Sequence, residues 1–150
     1  MKRLISLIAA VLLTFSVSCA PAQAEGLNQL AQSHGMLMGA ALSYSQLRKA
    51  DYLALLQKHF GSITATNEMK AYSLLDERAS RAAEDGMPVM NYKQADAMVG
   101  WAQKNGLKVR GHVLVWDAYM CDWFFREGYS KTKDYADPET IRKSITFILV

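Results

Sequence analysis

The chain has 150 residues, 51% hydrophobic and 21% charged, with 17 Lys and Arg against 14 Asp and Glu and a formal net charge of +3. That length suffices for one domain with a real core, yet it is well short of the roughly 250 residues typical of a closed barrel of eight βα units. No Lys/Arg cluster stands ready to hold a nucleic acid, so an uncharged partner such as a polysaccharide suits the charge balance better.

In chain order, Lys2 and Arg3 precede an apolar run from Leu4 to Val17, and Ala22-Gln23-Ala24 follows as a small-x-small cleavage pattern. Residues 1–24 are therefore expected to be an export signal, too short for a comfortable membrane span, which makes the protein secreted or periplasmic. Cys19, behind Ser16-Val17-Ser18, leaves open a lipid anchor on the outer surface instead. Removing residues 1–24 of the 150 leaves 126, and the net charge falls to +1 because Lys2 and Arg3 leave with the signal. Cys121 is then alone, so no intrachain disulfide is expected. His34, His59 and His112 have no ligand-like spacing, and no metal or cofactor is predicted from them.

Met36 to Leu42 reads as a first strand. A helix follows, with Tyr52, Leu53, Leu56 and Phe60 on one stripe and Gly61 expected as its C-terminal cap. Ser62 to Asn67 reads as the second strand. Residues 71–90 form a long connection, with a helical piece expected over Ala71–Glu84 and a turn at Asp85-Gly86-Met87-Pro88. Asn91, with Gln94 three residues on, caps a helix whose stripe is Ala95, Met98, Val99 and Ala102 and which Asn105-Gly106 ends. Val109 to Trp116 reads as a third, buried strand that places His112 and Trp116 on one face near its C-terminal end. Trp123, Phe124 and Phe125 read as core packing. Asp137 caps a last helix, with Pro138 at its first position, Glu139 against the dipole, and Ile141, Ile145 and Ile148 as its stripe.

Strand and helix in alternation is the pattern of parallel βαβ units, which build an open doubly wound sheet or a closed barrel. A glycine-rich phosphate loop after the first strand is lacking, which removes the main support for a nucleotide-binding sheet. Two segments then decide the reading: Thr64-Ala65-Thr66-Asn67-Glu68-Met69-Lys70 and Val109-Arg110-Gly111-His112-Val113-Leu114-Val115-Trp116. They resemble the strand-end segments of the glycoside hydrolase family 10 endo-β-1,4-xylanases, Thr-Pro-Glu-Asn-Glu-Met-Lys-like and Gly-His-Thr-Leu-Val-Trp-His-like. The resemblance implies an α/β fold, the N-terminal portion of a TIM (β/α)8 barrel with about three βα units, and residues 25–150 as a partial catalytic domain.

It also implies hydrolysis of O-glycosyl bonds in xylan with retention, by a protein that is a monomer when complete. Asn67, Lys70, His112 and Trp116 are the implied substrate contacts. Without the resemblance, Asn67 reads equally as a loop residue satisfying backbone groups, Lys70 as a solvated side chain, and His112 and Trp116 as core. Thr66 stands where the family usually has Glu, and Asp117 and Tyr119 where it usually has His and Gln. The last two remain further candidates for contacting sugar. The resemblance implies no catalytic residue among these 150: the acid/base and nucleophile glutamates are expected beyond Val150, and Glu68 and Asp117 fall at supporting or binding positions. The chain thus reads as truncated, with unpaired sheet edges and no cooperative unfolding transition expected. A non-catalytic exported glycan-binding protein, or an inactive product, is the alternative.

Overall fold

The computed structural model describes residues 25–149. Residues 1–24, which the sequence reading takes as an export signal and which include Cys19, lie outside the described residues. No helix among those described is long and apolar enough to cross a membrane.

Three parallel strands form one sheet in the order β1 (Gly39–Leu42), β2 (Ser62–Ala65), β3 (Lys108–Arg110). Gly39 pairs with Ser62 and Leu42 with Ala65, while Ser62 pairs with Lys108 and Thr64 with Arg110. The helix α1 (Leu27–Gln32) precedes β1, α2 (Ala50–His59) joins β1 to β2, and α3 (Ala71–Leu74), α4 (Glu77–Ala82) and α5 (Lys93–Lys104) lie between β2 and β3. A run of short 3-10 turns leads from β3 to α6 (Pro138–Leu149).

β2 is central, and its Ile63 and Ala65 are buried. They pack with Leu42 of β1, Leu56 of α2, and Ala95, Met98 and Ala102 of α5. Burying each of the larger of these side chains contributes about 1.5–3 kcal/mol, so the helical stripes at Leu56 and at Ala95, Met98 and Ala102 fix which face each helix turns to the sheet. A second cluster collects Ala71, Leu75, Trp123, Phe124, Tyr129 and Ile148, which places the Trp123-Phe124 pair in the core as expected.

The C-terminal end of α5 and the start of α6 follow their sequence signals. Gly106 lies in the left-handed region at φ +69°, while the Leu107 N–H reaches the Ala102 carbonyl at 2.9 Å and the Gly106 N–H reaches Gln103 at 3.2 Å. This is a Schellman end that glycine satisfies without Cβ strain. At the other helix, Asp137 Oδ1 accepts from the Glu139 and Thr140 N–H groups, each at 3.0 Å, and Oδ2 accepts from the Thr140 hydroxyl at 2.6 Å. These bonds hold the Asp137 carboxyl below the usual carboxylate range, the Thr140 side chain contributing most. A carboxyl lowered in the folded state stabilises above its unfolded pKa and loses that contribution as pH falls through the folded one. Asp137→Ala at neutral pH, and acidification of the unmodified chain through that range, should therefore both speed hydrogen exchange at the Glu139 and Thr140 amides. Equal exchange in the variant would show that the cap does not hold the helix start.

Four expectations need correction. Gly61 is not a left-handed cap: α2 ends at His59, Phe60 is extended at φ −126°, and the Phe60 N–H closes on Leu56 at 2.9 Å. Gly61 is instead a close-approach position, where a Cβ would stand 2.5 Å from the Asn28 amide nitrogen. The single helical piece expected over Ala71–Glu84 is two helices, because Leu75 bridges to Met90 and Asp76 caps α4 by accepting the Ala79 N–H at 2.9 Å. Asn91 accepts the Lys93 N–H at 3.1 Å, but the cap position of α5 is Tyr92. The third strand stops at Arg110 and does not reach Trp116. In the ladder register Gly111 would stand opposite Ala65, where β2 ends, so a parallel strand from His112 onward has no β2 residue opposite it.

β1 and β3 each pair only with β2 among the described residues, leaving an open three-stranded sheet. Beside β3, an apolar cleft of about 540 Å³ runs between α5, the Gly111–Val115 segment and Leu149.

Candidate functional site

In parallel α/β sheets, the loops after the C-terminal strand ends carry the site. Here the loops after β2 and β3 meet. The first begins at Thr66, whose N–H pairs with Leu42 at 2.9 Å, and is then anchored by Glu68. Glu68 is 8% exposed. Its Oε1 accepts the Tyr44 N–H at 2.6 Å and its Oε2 accepts the Asn67 N–H at 3.0 Å. Both carboxylate oxygens are thus spent on backbone, and with Glu68 and Met69 buried, the side chains of Asn67 and Lys70 turn outward. Asn67 Oδ1 accepts from Lys70 Nζ at 3.2 Å.

Lys70 Nζ stands 4.7 Å from the Tyr119 ring centroid and 6.0 Å from that of Trp116. The Trp116 and Tyr119 centroids are 4.6 Å apart, His112 lies 6.1 Å from Trp116, and Tyr72 lies 5.6 Å from Tyr119. All four residues named from the sequence as substrate contacts therefore share one surface. The period-2 argument that brought His112 and Trp116 together does not apply, because neither lies in a strand. Their rings meet through the loop after Arg110 and the 3-10 turn Asp117–Tyr119.

Of the two further candidates, Tyr119 joins this surface, whereas Asp117 is exposed and turns its Oδ1 to the Ala118 N–H at 2.9 Å. Tyr72 was missed. Its position two residues past Lys70, at the start of a short helix, was the available signal, but a lone Tyr in a connection of mixed pattern carries none of the periodicity that marks a face. Just beyond the rings, Cys121 is half-buried, and burial pushes its thiol above the ordinary value. A thiol so raised stays protonated at neutral pH and is a poor nucleophile.

A family model described as glycosyl hydrolase family 10 matches residues 26–148. The chain belongs to glycosyl hydrolase family 10. Endo-1,4-beta-xylanase A of Thermotoga maritima is 38% identical over 90 residues, which is 60% of this chain and 8% of that protein. Beta-1,4-xylanase of Dictyoglomus thermophilum is 35% identical over 129 residues, 83% of this chain and 32% of the relative. A solved family 10 xylanase from Thermobacillus composti superposes with a TM-score of 0.61 at 31% identity, covering 83% of this chain and 33% of the other. The N-terminal endo-1,4-beta-D-xylanase 10B modules of Clostridium thermocellum, solved with xylohexaose, give 0.69 at 22% identity, covering 76% and 22%. The family 10 chain spans about a third or less of the length of each of these. Its three βα units are a portion of the family's TIM-barrel fold, and the sheet they form is open rather than closed.

Proposed function

We propose that this family 10 chain carries the glycan-contacting face of an exported endo-β-1,4-xylanase-like hydrolase, and that the chemistry of cleavage is supplied outside residues 25–149. The observation that carries the reading is the convergence of Asn67, Lys70, His112 and Trp116 on one surface past the ends of β2 and β3. Family membership and the xylanases among its relatives support xylan as the polymer. An amide that donates and accepts and an ammonium with three donors suit sugar hydroxyls, and the partly exposed indole offers a flat apolar surface to a pyranose.

Retaining hydrolysis needs two carboxyl groups about 5–5.5 Å apart, one an acid and base, the other a nucleophile. Glu68 fits neither role, since both its oxygens already accept backbone N–H groups. Asp117 is engaged with its own turn. Titration of the full chain with xylohexaose, followed by incubation with xylan and assay of reducing ends, is expected to show binding without release. Release of reducing sugar would overturn the placement of the chemistry outside these residues. Absence of binding would overturn the glycan face itself.

A further inference from the structure

The outer edge of β1 carries two bonds that its ladder with β2 does not account for. Met38 and Leu42 turn their carbonyls to the β2 side, accepting the Gly61 and Thr66 N–H groups at 2.9 Å each. Backbone groups alternate sides along an extended chain, so Ala41 turns its C=O, and the extended Ser43 its N–H, to the opposite side. There β1 has no neighbouring strand among the described residues. Tyr44, one position on, again faces inward and donates its N–H to Glu68. On the outer side, the Tyr52 hydroxyl donates to the Ala41 carbonyl at 2.8 Å, and Gln46 Oε1 accepts the Ser43 N–H at 2.7 Å. In a parallel ladder, one residue of the neighbouring strand donates to the carbonyl of residue i and accepts from the N–H of residue i+2. At Ala41 and Ser43 the two side chains therefore supply the donor and the acceptor that one residue of a fourth strand would bring.

We propose that Tyr52 and Gln46 guard this edge against a second copy of the chain, by occupying the pairing position through which a strand of that copy would extend the sheet. An unpaired strand edge is a template for such addition, and proteins blunt it by keeping the edge short and obstructing its pairing groups. β1 is four residues long, Gly39–Leu42. Its outer side offers one further position of the same kind, the Gly39 C=O with the Ala41 N–H, so filling the second leaves a single residue to hold an incoming strand. The two guards differ in origin. Gln46 acts from within the cap of its own 3-10 turn, Tyr44–Arg48. Tyr52 reaches the edge from α2, eleven residues on, with its ring packed against the first core cluster and its hydroxyl on the strand. Removing that hydroxyl alone therefore opens the edge and keeps the packing.

The test is amide hydrogen exchange at Ala41 and Ser43 in the full 150-residue chain, measured dilute and concentrated, for the parent and for the double variant Tyr52→Phe with Gln46→Ala. A third form adds Ala41→Pro, which removes the outward N–H while proline remains compatible with an edge strand. In the parent, both rates are expected to be the same at either concentration. In the double variant, the dilute Ser43 amide should exchange about three- to tenfold faster, as the loss of one hydrogen bond implies, and both amides should slow as concentration rises. Adding Ala41→Pro should abolish the concentration dependence at Ser43. Slowing with concentration already in the parent would overturn the proposal, because the edge would then pair despite its guards. A double variant whose rates ignore concentration would overturn it too, leaving Tyr52 and Gln46 as local caps of the backbone. Slowing at Ser43 that survives Ala41→Pro would place the association on another surface and count equally against it.

Discussion

Glu68→Ala is expected to release the loop after β2, with hydrogen exchange at the Tyr44 and Asn67 amides accelerating about 10- to 100-fold. The carboxylate is 8% exposed, and each of its oxygens receives one backbone N–H, from Tyr44 at 2.6 Å and from Asn67 at 3.0 Å. Removing the acceptor leaves two donors without a partner in a mostly dry position, at about 1–3 kcal/mol each, and every 1.4 kcal/mol is about tenfold in an equilibrium such as local opening. Glu68→Gln separates the effects of shape and charge. Its one carbonyl oxygen can accept a single N–H while its amide nitrogen meets the other donor, so one of the two amides should remain protected. Because Asn67 and Lys70 are aimed by this anchor, Glu68→Ala should also weaken xylohexaose binding although Glu68 itself is buried beneath the face. Unchanged exchange at both amides would remove Glu68 as the anchor of the loop.

That anchor shows where sequence reading reaches its limit. The segment Thr64–Lys70 was legible as a strand end bearing polar groups, and the resemblance marked Asn67 and Lys70 within it. What Glu68 does was not legible, since its partner Tyr44 lies 24 positions away, in the loop after a different strand. The helices were legible because their signals are local: the stripe of α5, the Asn105-Gly106 end and the Asp137 cap each depend on residues within a few positions. The third strand was overextended for the opposite reason. Val109–Trp116 has the apolar content of a strand, but strand length is set by the neighbour, and β2 ends four residues past Gly61. The rings of His112 and Trp116 nonetheless come together, so the expected pairing holds on a loop geometry that alternation along a strand does not describe. Gly61 belongs to the same class of error, since glycine after a helix serves equally as a left-handed cap or as space for a neighbour, and only Asn28 decides between them.

Trp116→Ala is expected to lower xylohexaose affinity tenfold or more while leaving the fold intact, and the contrast with Trp123 gives the reason. The two indoles are seven residues apart, yet Trp116 is 39% exposed and Trp123 only 5%. Trp116 touches its surroundings through other site residues, Tyr119 at 4.6 Å, His112 at 6.1 Å and the Lys70 ammonium at 6.0 Å, so its removal unmakes the face without opening a cavity in the core. Trp123 packs edge-on against Tyr129 at 6.0 Å and against Phe124 at 6.3 Å inside the second cluster, and replacing a large buried aromatic by alanine costs about 3–5 kcal/mol. Trp123→Ala should therefore lose near-ultraviolet dichroism and protection throughout that cluster, with binding lost only as a consequence. Trp116→Ala should keep both signals and lose affinity alone. If Trp116→Ala instead binds xylohexaose as tightly as the parent, the indole is only covering surface and the glycan face lies elsewhere. If it loses dichroism to the same extent as Trp123→Ala, then the loop after β3 is part of the core, and the exposed ring is structural despite its position at the strand end.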